Sequence, residues 1–185
     1  MKRAVRASVS PSTFVASAAS LMLVLLAGCA SSSSTKARAV TVKAADYRFE
    51  GLPREVGAGS SFTMTNTSKM EAHELTAIRL PEGERRSAAE LVALPEDQLG
   101  ALSAGPPAMV LVAPPGGKAV VAVGDGRLGQ RGRYLMLCFV PTGVDPAAFM
   151  QAVQQAAADP QSGPPKIAGG PPHFTHGMYA ELTVR

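Results

Sequence analysis

Few side chains of this 185-residue chain are suited to chemistry: two cysteines and three histidines stand out. Cys138 closes the apolar run Tyr134-Leu135-Met136-Leu137 and is followed by Phe139-Val140-Pro141. Two histidines fall in Pro172-His173-Phe174-Thr175-His176-Gly177-Met178, and the third lies upstream in Ala72-His73-Glu74-Leu75. Thiolate sulfur, imidazole nitrogen and thioether sulfur are donors that soft or borderline transition metals accept. Singly, each has a commoner structural use: a histidine on a surface, a buried cysteine as a small hydrophobe, a methionine as packing. Their weight lies in occurring together. No Ser/His/Asp set or carboxylate pair stands out, and catalysis is not expected.

The other cysteine ends a leader. Lys2, Arg3 and Arg6 precede Phe14, Val15 and the run Leu21-Met22-Leu23-Val24-Leu25-Leu26, the basic-then-apolar order of a secretory signal. That run is far shorter than the roughly 20 residues a spanning helix needs, so a transmembrane anchor is not expected. Leu26-Ala27-Gly28-Cys29 resembles the bacterial lipobox. Residues 1–28 therefore read as a signal peptide and Cys29 as the lipid-bearing first residue of the mature chain. The expected location is the extracytoplasmic face of the cell membrane, on the periplasmic side where there are two membranes. With Cys29 given to lipid, Cys138 has no partner for an intramolecular disulfide, and a lone thiol in an oxidising compartment calls for another explanation. The leader carries three of the 18 Lys+Arg and none of the 14 Asp+Glu, so its removal lowers the net charge from +4 to +1. That leaves no nucleic-acid footprint. Arg85-Arg86 and Arg127, Arg131 and Arg133 read as solvated faces.

The elements that must position these residues are mostly strands. Residues 29–39 are small and polar, a flexible linker reaching roughly 35 Å over ten residues. From residue 40 to 185 the chain is long enough for one domain with its own core. Val40/Val42, Tyr47/Phe49, Phe62/Met64, Leu75/Ala77 and Ala180/Leu182/Val184 alternate at period two, as half-buried strands do. Longer apolar runs at 109–113, 119–123 and 134–140 are separated by Pro114-Pro115-Gly116-Gly117 and by the glycine-rich 124–132. Short strands between such turns predict a β-sandwich. Two helices interrupt it. One opens at Ser87-Ala88-Ala89-Glu90, a capping-box spacing followed by Leu91, Val92 and Leu94. The other opens at Asp145-Pro146 and carries Phe149, Val153 and Ala157 on one face.

In this order of elements the chain resembles the cupredoxins, the plastocyanin and azurin type of copper protein. Gly132-Arg133-Tyr134, Cys138, Pro141, Pro172-His173 and Gly177-Met178 match the family's ligand strand and turn, with Leu182-Thr183-Val184 closing the domain. Asn66-Thr67-Ser68 and Ala72-His73-Glu74-Leu75 resemble the segment that presents its first histidine. The resemblance implies a mainly β, Greek-key β-sandwich with two short inserted helices, and one type 1 copper site. His73, His173 and Cys138 would form its plane and Met178 its weak axial ligand, a set that suits both copper oxidation states. His176 stays open as an alternative ligand, although the spacing to Met178 favours His173. The resemblance further implies a membrane-tethered electron carrier with a redox protein partner. Other readings are a copper storage or delivery protein, or a metal-free interaction domain.

One departure is large. Thirty-four residues separate Cys138 from His173, where familiar members have only a few. This insertion either folds away as an excursion whose Gly/Pro ends rejoin the ligand turn, or covers the site as a lid. Gly124-Asp125-Gly126-Arg127-Leu128-Gly129 matches a dinucleotide-binding pattern, but another strand, not a helix, is expected after it, so it reads as turn glycine.

Overall fold

Alternating burial along the chain sorts its side chains between a shared interior and the outside. In Ala39–Ala45 (β1) Val40, Val42 and Ala44 point inward, and in Ser60–Asn66 (β4) Phe62 and Met64 do. A computed structural model describes residues 35–102, 105–158, 165 and 167–185. The leader, Cys29 and most of the expected linker lie outside the described residues. The remaining strands are β2 (Arg48–Glu50), β3 (Glu55–Val56), β5 (His73–Arg79), β6 (Met109–Ala113), β7 (Val120–Val123), β8 (Arg127–Leu128), β9 (Gly132–Leu137) and β10 (Tyr179–Val184). They form two mixed sheets, β2-β1-β4-β8 and β3-β10-β9-β5-β6-β7, which pack as a β-sandwich. The two-residue strands β3 and β8 are too short to show periodicity in the sequence.

The larger sheet is buried on both faces at its centre, which is why β9 reads as an unbroken apolar run. Tyr134, Met136 and Cys138 face the interior between the sheets, whereas Leu135 and Leu137 face outward. That outer face is covered by helices α1 (Ala88–Val92) and α2 (Glu96–Ala101), whose Ala88, Leu91 and Leu99 pack with Ile78, Leu80, Leu135 and Leu137. Leu91 and Leu99 are essentially inaccessible, and burying each contributes about 1.5–3 kcal/mol. The expected capping box is present: the Ser87 hydroxyl accepts from Glu90 N at 3.3 Å, and the Glu90 carboxylate accepts from Ser87 N at 2.7 Å.

The helix count differs from the expectation of two. The segment read as one helix is two, because Pro95 cannot supply an N–H to continue α1 and instead opens α2. The third, α3 (Pro146–Ala158), is the one expected after Asp145, whose carboxylate accepts from Ala148 N at 2.7 Å. Its Phe149 and Val153 join the inter-sheet core, and it lies against β7.

Two further differences concern surface segments. Arg133 is no free solvated charge: its guanidinium donates to both Glu181 oxygens at 2.9 and 2.8 Å and to the carbonyls of Glu84 and Arg86, fastening the loop before α1. The end of the expected linker is fixed to the sandwich, with Thr35 Oγ1 donating to Glu55 at 2.7 Å and Arg38 N to Ser60 Oγ at 3.1 Å. The Gly124-to-Gly129 pattern runs through positive-φ Gly124 and Gly126 into β8, with no helix after it. Among the described residues, no helix is long and apolar enough to cross a membrane.

Candidate metal centre

Three adjacent strands of the larger sheet end together. β5 pairs antiparallel with β9, and β9 with β10, so the start of β5, the end of β9 and the start of β10 share one edge of the sandwich. His73 is the first residue of β5, Cys138 follows β9, and Met178 precedes β10. His173 opens a short 3₁₀ turn, His173–His176, which ends at Gly177 with φ near 105°, a conformation strained for any side-chain-bearing residue.

Each ligand segment is wired locally. Asn66 Nδ2 donates to Glu71 O at 2.8 Å and to Ala113 O at 3.3 Å, while Ser68 Oγ accepts from Met70 N and Glu71 N. These bonds set the loop that delivers His73. Glu74 N donates to Cys138 Sγ at 3.3 Å, and the Glu74 carboxylate accepts from Phe139 N at 2.9 Å. Phe174 N and His173 N donate to the carbonyls of Cys138 and Val140, each at 3.0 Å. On the outer face Phe139 and Phe174 meet edge to face, 5.3 Å between centroids, clasping the two ligand segments from behind.

The donor atoms converge. His73 Nδ1 lies 3.0 Å from His173 Nδ1, and Cys138 Sγ lies 3.4 Å from His173 Nδ1 and 4.0 Å from His73 Nδ1. All three residues are fully buried. With metal–nitrogen bonds of about 2.0 Å and metal–sulfur bonds of about 2.3 Å, the three atoms are close enough for one first-row ion to be held by all of them, since each separation is shorter than the two bonds that would span it. His73, Cys138 and His173 form a candidate metal centre.

No protein-family model matches the chain, and no curated protein matches it. Among solved structures, the chain is similar to three auracyanins. They are the dithionite-reduced auracyanin of the photosynthetic bacterium Roseiflexus castenholzii (16% identity over 81% of this chain and 98% of that one, TM-score 0.41), auracyanin B (17%, 82% and 91%, 0.42), and auracyanin A, described as a "blue" copper protein of the green thermophilic photosynthetic bacterium Chloroflexus aurantiacus (17%, 80% and 99%, 0.39).

The other expected residues separate clearly. Met178 is fully buried at the centre's edge, its N–H donating to His173 O and its carbonyl accepting from Cys138 N, both at 3.2 Å. His176 is exposed and outside the cluster, its ring 5.1 Å from that of Tyr47. Of the two candidate histidines, the geometry brings His173 and not His176 together with His73 and Cys138. Asp46, Tyr47 and Glu71 were not legible as site residues. Asp46 and Tyr47 form the two-residue turn between β1 and β2, with Tyr47 at φ 60°. Tyr47 stacks edge-on against His173 at 5.0 Å, and Asp46 Oδ1 lies 3.5 Å from His73 Nε2. Glu71 Oε2 lies 3.7 Å from His173 Nε2. Glu71 stands two residues before His73, whereas Asp46 and Tyr47 are far from every ligand in sequence.

The chain between Cys138 and His173 leaves and rejoins the site through a closed stalk. Thr142 N donates to Pro171 O at 3.1 Å, Gly170 N to Thr142 O at 2.9 Å, and Pro141 and Pro172 form a β-bridge. The two ends of the segment are thus paired with each other at residues 141–142 and 170–172, and α3 packs into the inter-sheet core.

Burial sets the protonation states. It is the main cause depressing both histidines, and it holds His173 at about 4, with the neighbouring His73 and His176 adding to the effect. Both imidazoles are neutral at pH 7, with lone pairs available. Burial, reinforced by the Glu74 charge, pushes the Cys138 thiol well up, so an ion that binds the thiolate displaces a proton. One consequence is testable without metal. The unfolded chain protonates these histidines near pH 6.5 and folded His173 only near 4, so the stability they contribute is present above pH 6.5 and is lost as pH falls towards 4. The slope is at most about 1.4 kcal/mol per pH unit for each group. Urea midpoints between pH 7 and 4 are expected to fall further for the metal-free wild type than for His173→Gln.

Proposed function

We propose that this protein is a type 1 copper protein that passes single electrons, held by a lipid on Cys29 at the extracytoplasmic face of the membrane. The observation that carries the reading is the buried triangle of His73 Nδ1, His173 Nδ1 and Cys138 Sγ. Two neutral imidazoles and one thiolate are the donor set of a type 1 site, and the buried Met178 would add a weak thioether. Bound copper would supply a one-electron couple. The chain's own part is to hold the donors still and dry. His73 is fixed by the Asn66 and Ser68 loop, Cys138 by Glu74 N–H, and His173 by its hydrogen bond to Val140. Donors so braced move little when their charge environment changes, which suits rapid electron exchange.

Burial also weighs against storage or delivery. A protein that surrenders its ion needs donors a partner can reach, whereas His73, Cys138, His173 and Met178 are all inaccessible. The tether confines the domain to a membrane surface, where its redox protein partner would be met. We infer no catalytic step.

The test is to load the protein with Cu(II) and record visible absorption, paramagnetic resonance and voltammetry. An intense thiolate-to-copper band with a reversible one-electron wave is expected. A folded protein lacking the band overturns the reading, and copper binding without a reversible wave would favour handling over transfer. His176→Ala is expected to keep the band and His173→Ala to lose it.

A further inference from the structure

Among the described residues, the buried side-chain nitrogen and oxygen atoms without a hydrogen-bond partner are His73 Nε2, His173 Nε2 and Glu71 Oε2. Such atoms are costly to leave unpaired, and native interiors rarely do. All three lie at the metal centre. They also stand opposite one another: His173 Nε2 is 3.7 Å from Glu71 Oε2, and His73 Nε2 is 3.5 Å from Asp46 Oδ1. Each histidine therefore turns one nitrogen inward and the other towards a carboxylate.

The tautomers make this arrangement informative. Without an ion, the 3.0 Å contact between the two Nδ1 atoms requires one to carry a proton and the other a lone pair. A neutral ring protonated on Nδ1 has a bare Nε2, which would face a carboxylate lone pair to lone pair. When both Nδ1 atoms are ligands, both rings carry their proton on Nε2, and both protons point at carboxylates. The conflict then disappears. A ligating histidine that gives its other N–H to a carboxylate is a familiar means of fixing ring orientation and raising ligand basicity.

The carboxylates are themselves held in place. Asp46 sits in a two-residue hairpin turn bounded by the Ala45–Arg48 pair. Glu71 is fixed through its backbone by Asn66 and Ser68, and its Oε1 accepts from Gly143 N at 3.4 Å. One belongs to the smaller sheet and the other to the loop before β5, so each histidine has its own acid.

We propose that Asp46 and Glu71 are positioning residues of the metal centre, which accept the outer N–H of His73 and His173, lock both rings with Nδ1 inward, and favour the more positive oxidation state of the bound ion. This rests on the copper reading above. Two negative charges beside the ligands stabilise Cu(II) more than Cu(I), so they lower the reduction potential, and removing either raises it.

The experiment compares wild type with Asp46→Asn, Glu71→Gln and Asp46→Ala, measuring Cu(II) and Cu(I) dissociation constants, the thiolate band and the potential. Asn and Gln keep an acceptor oxygen and remove only the charge. About ten-fold weaker Cu(II) binding is expected from each, with Cu(I) affected less. Each ten-fold difference between the two losses raises the potential by about 59 mV. Asp46→Ala, which loses orientation as well, is expected to weaken both ions and to broaden the band. Asp46 is 58% exposed, so its substitution is compatible with the fold and carries the test even where Glu71→Gln fails to fold. Wild-type affinities and potential in folded Asp46→Asn, or equal weakening of both ions, overturn the proposal while leaving the copper reading intact. A wild type that binds no copper overturns both.

Discussion

Cu(II)-loaded Cys138→Ser is expected to be colourless in the visible range and to bind copper far more weakly than wild type. The intense band requires charge transfer from a thiolate, and a serine hydroxyl ionises too reluctantly to replace it. The substitution is sterically mild: Cys138 is wholly buried, and the serine oxygen can still accept the Glu74 N–H that now reaches sulfur at 3.3 Å. The fold therefore survives with a loss of about 1–3 kcal/mol, the usual cost of a buried hydroxyl with incomplete pairing. Colour lost from a protein whose circular dichroism is unchanged isolates the thiolate as its source. A visible band persisting in the variant would place copper elsewhere.

Phe149→Ala is expected to carry the largest stability penalty of the predicted substitutions, about 3 kcal/mol. Phe149 is 5% exposed and, with Val153 and Val144, brings α3 into the inter-sheet core. Truncating a buried phenylalanine typically costs 3–5 kcal/mol, and the lower end fits a helix on one connection that can settle into the gap. The same variant is expected to keep its copper band, because the Thr142–Pro171 and Gly170–Thr142 hydrogen bonds separate α3 from the ligand turn. Urea denaturation and absorption on one sample check both halves. An unchanged midpoint would mean that α3 is not part of the core, and a lost band that the stalk does not isolate the site.

Much of this was legible because the physics is local and periodic. Val40/Val42, Phe62/Met64 and Leu75/Ala77 alternate as strands that bury one row, and their partners needed no long-range knowledge to be recognised as strands. Ser87-to-Glu90 and Asp145-Pro146 announce helix starts through bonds made within one turn. His73, Cys138 and His173 could be nominated because cysteine and histidine are scarce in this chain and their segments resemble the cupredoxin ligand segments. The carboxylates could not. Asp46 belongs to the smaller sheet and His73 to the larger, and nothing in their spacing says that the β1–β2 turn reaches the same end of the sandwich. The zipped stalk was equally hidden, since backbone hydrogen bonds between residues 140–142 and 170–173 leave no mark on side-chain pattern.

The stalk bears on how sites of this kind are searched for. Where a chain can depart after residue 142 and return at residue 170 with its backbone still paired, the number of residues between two ligands says little about their separation in space. Patterns that count residues between the cysteine and the next histidine would pass over this chain. A pattern written in strand register, asking which positions fall at the shared ends of three neighbouring strands, would retrieve it. Genomes screened by loop length alone are then expected to hold further centres whose ligands sit side by side and whose codons do not.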